Sequence, residues 1–114
     1  MSVSDSYRAF VIEQLNRVMP VTAKKMFGGV GVYADGFFFA LMDDDTLYFK
    51  VNDSNRADFE AAGMGPFKPF GDDSHVMQYY EVPGDLLEDV DALRIWMEKA
   101  VAVARQKKRK PLKR

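Results

Sequence analysis

Apolar positions recur every three or four residues at both ends of the chain and every second residue between them. Tyr7, Phe10, Val11, Leu15 and Val18, with Gln14 in line, form one stripe of a helix that Asp5 can cap and Pro20 ends. From Lys24 to Val51 the period becomes two, with β-branched and aromatic residues in three or four short strand-like runs. Gly28 and Gly29 punctuate the first run, Asp35-Gly36 signals a tight turn before Phe37, and Asp43-Asp44-Asp45 turns the chain before Leu47. Connections this short join antiparallel neighbours. Asn52, Asp53 and Ser54 are candidate caps of a second, short helix through Phe59 and Ala62, which Gly63 closes. Pro66 and Pro69 bracket Phe67 in an extended stretch suited to a sheet edge, since proline cannot donate to a ladder. A turn over Gly71 to Ser74 leads into a strand-like run from Val76 to Val82. The last helix has the clearest pattern: Val90, Leu93, Trp96, Met97, Ala100, Val101 and Ala104 share one face. Glu88, Asp89 and Asp91 at its start and Arg105, Lys107 and Lys108 near its end oppose the helix dipole.

The order α, three or four β, α, two β, α predicts an α+β domain of two layers, an antiparallel sheet with flanking helices. Its predicted core is Phe10, Leu15, Phe39, Leu41, Phe59, Leu93, Trp96 and Met97. Strict alternation along the central run sends Phe37, Phe39 and Leu41 to one face and Phe38, Ala40 and Met42 to the other. Two layers leave one sheet face without helices, so that face either meets a second subunit or lies under the long last helix. The first option makes Phe38, Ala40 and Met42 a candidate homodimer interface.

Length and composition fit one domain: 114 residues, 47% hydrophobic and 29% charged. No cysteine is present, which removes disulfide scaffolds, thiolate metal sites and thiol nucleophiles, and the single histidine, His75, cannot build a histidine-rich metal site. The net charge of −1 hides an asymmetry. Seven of the 16 basic residues and none of the 17 acidic ones lie in the final RQKKRKPLKR, which leaves residues 1–104 at −8. The chain therefore reads as a domain over 1–104 and a basic tail over 105–114. Pro111 stops the helix near Lys110, and the tail is expected to be disordered beyond the helix end. Lys107, Lys108, Arg109, Lys110, Lys113 and Arg114 are a candidate weak, sequence-independent nucleic-acid contact; a solubilising extension is the alternative. The start of the chain is polar and acidic, unlike a secretory signal, and the longest apolar run, Phe37 to Met42, is far below the roughly 20 residues of a membrane span. A cytoplasmic protein is expected.

Three constellations resemble chemical sites. GGVGVY, with Gly28, Gly29 and Gly31, has the spacing of neither nucleotide-binding glycine motif, so bulges or close backbone approach explain the glycines better. A calcium loop begun at Asp43 would need glycine where Tyr48 stands and glutamate where Ser54 stands, so turn carboxylates are expected there. His75 beside Asp72, Asp73 and Ser74 holds the parts of a hydrolytic triad, but contiguous turn residues seldom converge on one atom. Tyr33, Tyr48, Phe49, Tyr79 and Tyr80 could stack nucleobases on an open sheet, yet no arginines interleave them, and packing is the expected use. No cofactor is expected.

The stretch KKMFGGVGVYADGFFFALMDDDTLYFKVNDSNRADFEAAGMGPF, Lys24 to Phe67, resembles the N-terminal domain of the TfoX/Sxy competence-regulator family. The Met-Phe-Gly-Gly element and the Tyr-Phe-Lys-Val plus Asn-Arg segment carry the likeness. Met77-Gln78-Tyr79-Tyr80, Pro83, Leu87-Glu88-Asp89, Leu93 and Trp96 extend it to about Arg105. The resemblance implies a fold similar to secretion-chaperone-like domains. It also implies the setting of the longer members, which regulate natural transformation as coactivators with the cyclic-AMP receptor protein and carry a second, helical domain. Here the basic decapeptide of residues 105–114 stands instead, so a stand-alone member is expected. The reading is a non-enzymatic regulatory or adaptor domain acting by protein contact, with a transcription regulator as possible partner. The alternative is a nucleic-acid accessory protein bound through its tail.

Overall fold

The computed structural model describes the backbone of residues 3–26, 28–68 and 78–109, and side chains as far as Gln106. Helix α1 spans Asp5–Val18, and strands β1 (Thr22–Met26), β2 (Gly29–Ala34), β3 (Phe37–Asp43) and β4 (Thr46–Lys50) follow. Then come helix α2 (Arg56–Ala61), strand β5 (Tyr79–Glu81), a 3-10 turn over Gly84–Glu88 and helix α3 (Val90–Arg109). The five strands form one antiparallel meander in the order β1-β2-β3-β4-β5. This is the α+β class that the periodicity predicts.

The turns follow from their residues. Asp35 and Gly36 both take positive φ, 55° and 82°, and so do Asp44 and Asp45, at 52° and 54°. Two consecutive left-handed residues give the hairpin turn whose twist matches that of its strands, and aspartate tolerates the conformation better than most side chains. The cap of α1 is Ser4 rather than the expected Asp5: its hydroxyl accepts from the Tyr7 N–H at 3.2 Å. Ser4 also donates its own N–H and hydroxyl to the Asp45 carboxylate, at 2.7 and 3.1 Å, which ties the helix start to the β3–β4 turn. Asn55 caps α2 in place of its three predicted neighbours. It is buried, donates from Nδ2 to the Lys50 carbonyl at 3.1 Å and accepts the Asn52 N–H at 2.8 Å. The proline-bracketed stretch does lie at an edge: the Phe67 N–H donates to the Tyr79 carbonyl, the Glu81 N–H to that of Gly65, and Pro66 bridges Tyr80.

All three helices pack on one face of the sheet. The core joins Val11 and Leu15 of α1, Phe59 of α2 and Leu93, Met97, Ala100, Val101 and Ala104 of α3 to Val30, Val32, Phe39, Met42, Leu47 and Phe49 of the strands. Gln14, in line with the α1 stripe, donates from Nε2 to the Leu87 carbonyl at 2.6 Å and fastens α1 to the 3-10 turn.

Three predicted core positions need correction. Phe10 is 38% exposed, because the buried line of α1 runs through Val11 and Leu15 and one residue of helix rotates Phe10 to the rim. Trp96 is half-buried and meets Phe59 edge-on, with ring centroids 4.7 Å apart. Leu41 is buried, but on the sheet face away from the helices, where it pairs across from Tyr48.

The cause of the Leu41 reversal also divides the candidate interface. Val32 pairs with Ala40 and Tyr33 with Phe38, so Phe39 is an extra residue in β3, a bulge. Phe39 and Ala40 therefore both face the helices. Ala40 and Met42 are 0% exposed in the core, and only Phe38 of the predicted trio lies on the helix-free face. A subunit contact through Phe38, Ala40 and Met42 together is excluded by this geometry, since strict alternation fails at the bulge.

Helix α3 continues through Arg109, so the first half of the predicted tail is helical. Arg105 sits 5.6 Å above the Phe37 ring centre and 3.7 Å from the Asp35 carboxylate, which fixes it to the domain. No helix among the described residues is long and apolar enough to cross a membrane.

Candidate functional site

Alternate side chains of the meander meet on the helix-free face. Tyr33 stacks on Phe38 with centroids 5.1 Å apart, Phe38 meets Tyr79 at 5.6 Å, and Tyr48 meets Phe67 at 4.8 Å. Lys24 lies 5.7 Å above Tyr33, and Lys50 lies 4.8 Å above Tyr79. These rings spend their faces on one another and on the lysine ammonium groups, and Tyr79 is only 5% exposed. The layer works as a second, small core rather than as a stacking platform for bases. Phe38 also covers Gly31, where an added Cβ would press on its ring and on Met26. At Gly29 a Cβ would run into the Met42 carbonyl oxygen, so the glycines serve close backbone approach.

Burial, with Tyr33 alongside, pushes the Tyr79 phenol up to about 12 from the ordinary 10.0, and burial, helped by Asp45 and Glu81, does the same to Tyr7. Both phenols are protonated in folded and unfolded chains below pH 10, so their contribution is complete there. Between 10 and 12 the unfolded chain releases protons that the folded one retains, and stability falls as pH rises. The melting temperature is expected to drop through that window, with a smaller drop in Tyr79→Phe. Equal slopes in the two proteins would contradict the burial of this phenol.

The other sequence candidates separate. Asp44 and Asp45 form the β3–β4 turn, and the Asp45 carboxylate is occupied by Ser4. Among the described residues no three histidine, cysteine or acidic side chains come together as a metal site. His75, Asp72, Asp73 and Ser74 lie outside the described residues. So do Val76, Met77, Lys110, Lys113 and Arg114. Lys107, Lys108 and Arg109 occupy the last turn of α3, at the end of the helix remote from the 3-10 turn.

A surface that the sequence reading passed over lies at the β1 edge. β1 pairs with β2 alone among the described residues, so the outer side of its backbone carries no ladder. A groove in two parts runs between that edge and α1. One part, about 440 Å³, is lined by Asp5, Arg8, Lys25, Met26 and Gly29 among others; the second, about 400 Å³, by Asp5, Arg8, Ala9, Ile12 and Ala23. Asp5 and Arg8 line both parts; Lys25 adds a second cation to the first, and Ala9, Ile12 and Ala23 give the second an apolar wall. Arg8 is half-buried and Lys25 exposed, and neither makes an ion pair or side-chain hydrogen bond among the described residues. Helical periodicity missed Arg8, Ala9 and Ile12 because they flank the core stripe of α1. The available signal was Lys24-Lys25 on a short strand, a common mark of a sheet edge.

What this arrangement can do is pair backbone with an extended segment and hold that segment's side chains against a helix. No curated protein matches the chain. The model of the TfoX N-terminal domain matches residues 13–104, from the middle of α1 to the buried Ala104 of α3. This match takes in all five strands, α2 and most of α3, and with it the chain belongs to the TfoX N-terminal domain family.

Proposed function

We propose that this domain is a non-enzymatic regulatory or adaptor module that acts by protein–protein contact, and that its contact surface is the β1 edge with the α1–β1 groove. The observation that carries the reading is the pairing of an open backbone edge with a groove whose cations, Arg8 and Lys25, make no ion pair or side-chain hydrogen bond among the described residues. An unused edge flanked by a helix is a common seat for an extended segment of another protein, because main-chain hydrogen bonds supply affinity and the groove supplies selectivity. The resemblance to competence and transcription regulators makes a transcription regulator the expected class of partner, met in the bacterial cytoplasm.

The test is affinity capture from the native cell with three chains: intact, Arg8→Glu/Lys25→Glu, and one ending at Gln106, which keeps the Arg105–Asp35 contact. A defined protein should be retained by the intact and shortened chains and lost with the reversed charges. Equal recovery by the charge-reversed chain would overturn the reading. Nucleic acid recovered by the intact chain and lost by the shortened one would favour a function in the basic end of α3 instead.

A further inference from the structure

Resting on that adaptor reading, we infer that the segment seated on β1 is an extended strand of a partner protein in which an apolar side chain and a carboxylate lie two residues apart. The spacing comes from β1 itself. Ala23 and Lys25 are two residues apart, so both point to the α1 side of the sheet. Ala23 lines one part of the groove with Ala9 and Ile12, Lys25 lines the other, and Arg8 and Asp5 line both. A strand paired to the outer edge places its alternate side chains directly opposite these two, close enough for cross-strand contact. The residue opposite Ala23 must then be apolar to cover Ala9 and Ile12. The residue opposite Lys25 must be acidic to meet Lys25 and Arg8 together.

The same charges select against other occupants. A second copy of this chain added edge to edge would set the Lys24-Lys25 pair against its own image, and like charges facing each other across strands are destabilising. A basic strand would add positive charge beside Arg8 and Lys25, against the single carboxylate of Asp5. A run of carboxylates would meet Asp5 in the groove and the −8 of residues 1–104. One acidic residue among apolar and neutral neighbours fits all three constraints.

The test uses a fluorescent, terminally blocked nonapeptide, Ser-Thr-Val-Thr-Glu-Thr-Val-Thr-Ser, whose two valines flank the glutamate on one face, so that the pair is presented in either strand direction. Its two controls replace the glutamate by lysine or move it one residue along. Fluorescence anisotropy with the intact chain should show binding about tenfold tighter for the first peptide than for either control, the scale set by two opposite charges becoming two like ones. Lys25→Glu, an exposed position, should reverse the preference between glutamate and lysine peptides. Ala9→Glu, also exposed, should weaken the glutamate peptide. Equal binding of all three peptides, or binding of none, would overturn the proposed strand chemistry. The adaptor reading fails separately, by recovery of the native partner on the Arg8→Glu/Lys25→Glu chain.

Discussion

Met42→Glu is expected to unfold the domain outright. Met42 is 0% exposed, pairs with Val30 on one side and Leu47 on the other, and belongs to the core that α1 and α3 cover. A carboxylate there has no cation to meet among its core neighbours, which are all apolar. Burying an unpaired charge costs several kcal/mol even after relaxation, and the lost hydrophobic burial of the methionine adds about 1.5 to 3 kcal/mol. The sum is comparable to the roughly 5 to 15 kcal/mol that stabilises a domain. Circular dichroism and thermal melting should show no cooperative transition at 25 °C. A folded, cooperative Met42→Glu protein that had merely lost self-association would mean that Met42 faces outward and that the β3 bulge is misplaced.

The second large effect is at Phe59, the anchor of α2. Phe59 is 1% exposed and meets both Trp96 of α3, centroids 4.7 Å apart, and Tyr80, at 6.0 Å. Phe59→Ala is expected to cost about 3 to 5 kcal/mol, the usual range for a buried aromatic. Trp96→Ala should cost less, because that indole is only partly buried and Phe59 would remain packed beneath it. The double variant should fall short of the sum by about 0.5 to 1.5 kcal/mol, the coupling of an edge-to-face pair. Urea denaturation of the four proteins measures each term. A Trp96→Ala loss larger than that of Phe59→Ala would place the indole, not the phenyl ring, at the centre of this contact.

The sequence makes much of this fold legible because local chemistry decides it. Asp35-Gly36 can adopt the two left-handed conformations that a two-residue hairpin requires, and they set β2 against β3. The α3 stripe recurs at helical spacing, and its Leu93, Met97, Ala100, Val101 and Ala104 are buried. The bulge at Phe39 left no mark, since a run of six apolar residues looks the same with or without an extra member. Its effect was to move Ala40 and Met42 to the opposite face, and with them the candidate interface. The groove was illegible for a different reason. Its walls, Arg8 to Ile12 and Ala23 to Lys25, are brought together by tertiary packing, and neither stretch carries a motif by itself. Family membership, by contrast, was readable in Lys24 to Phe67, where turn residues and β-pattern are dense.

The most direct measurement is amide hydrogen exchange of the intact chain, free and bound to the protein it captures in its own cell. The outward-facing amides of Thr22–Met26 should exchange rapidly in the free domain and become protected in the complex, together with the side of α1 that carries Arg8, Ala9 and Ile12. Protection confined to the Tyr33, Phe38 and Tyr79 face or to the last turn of α3, with β1 unchanged, would contradict the assignment of partner contact to this edge.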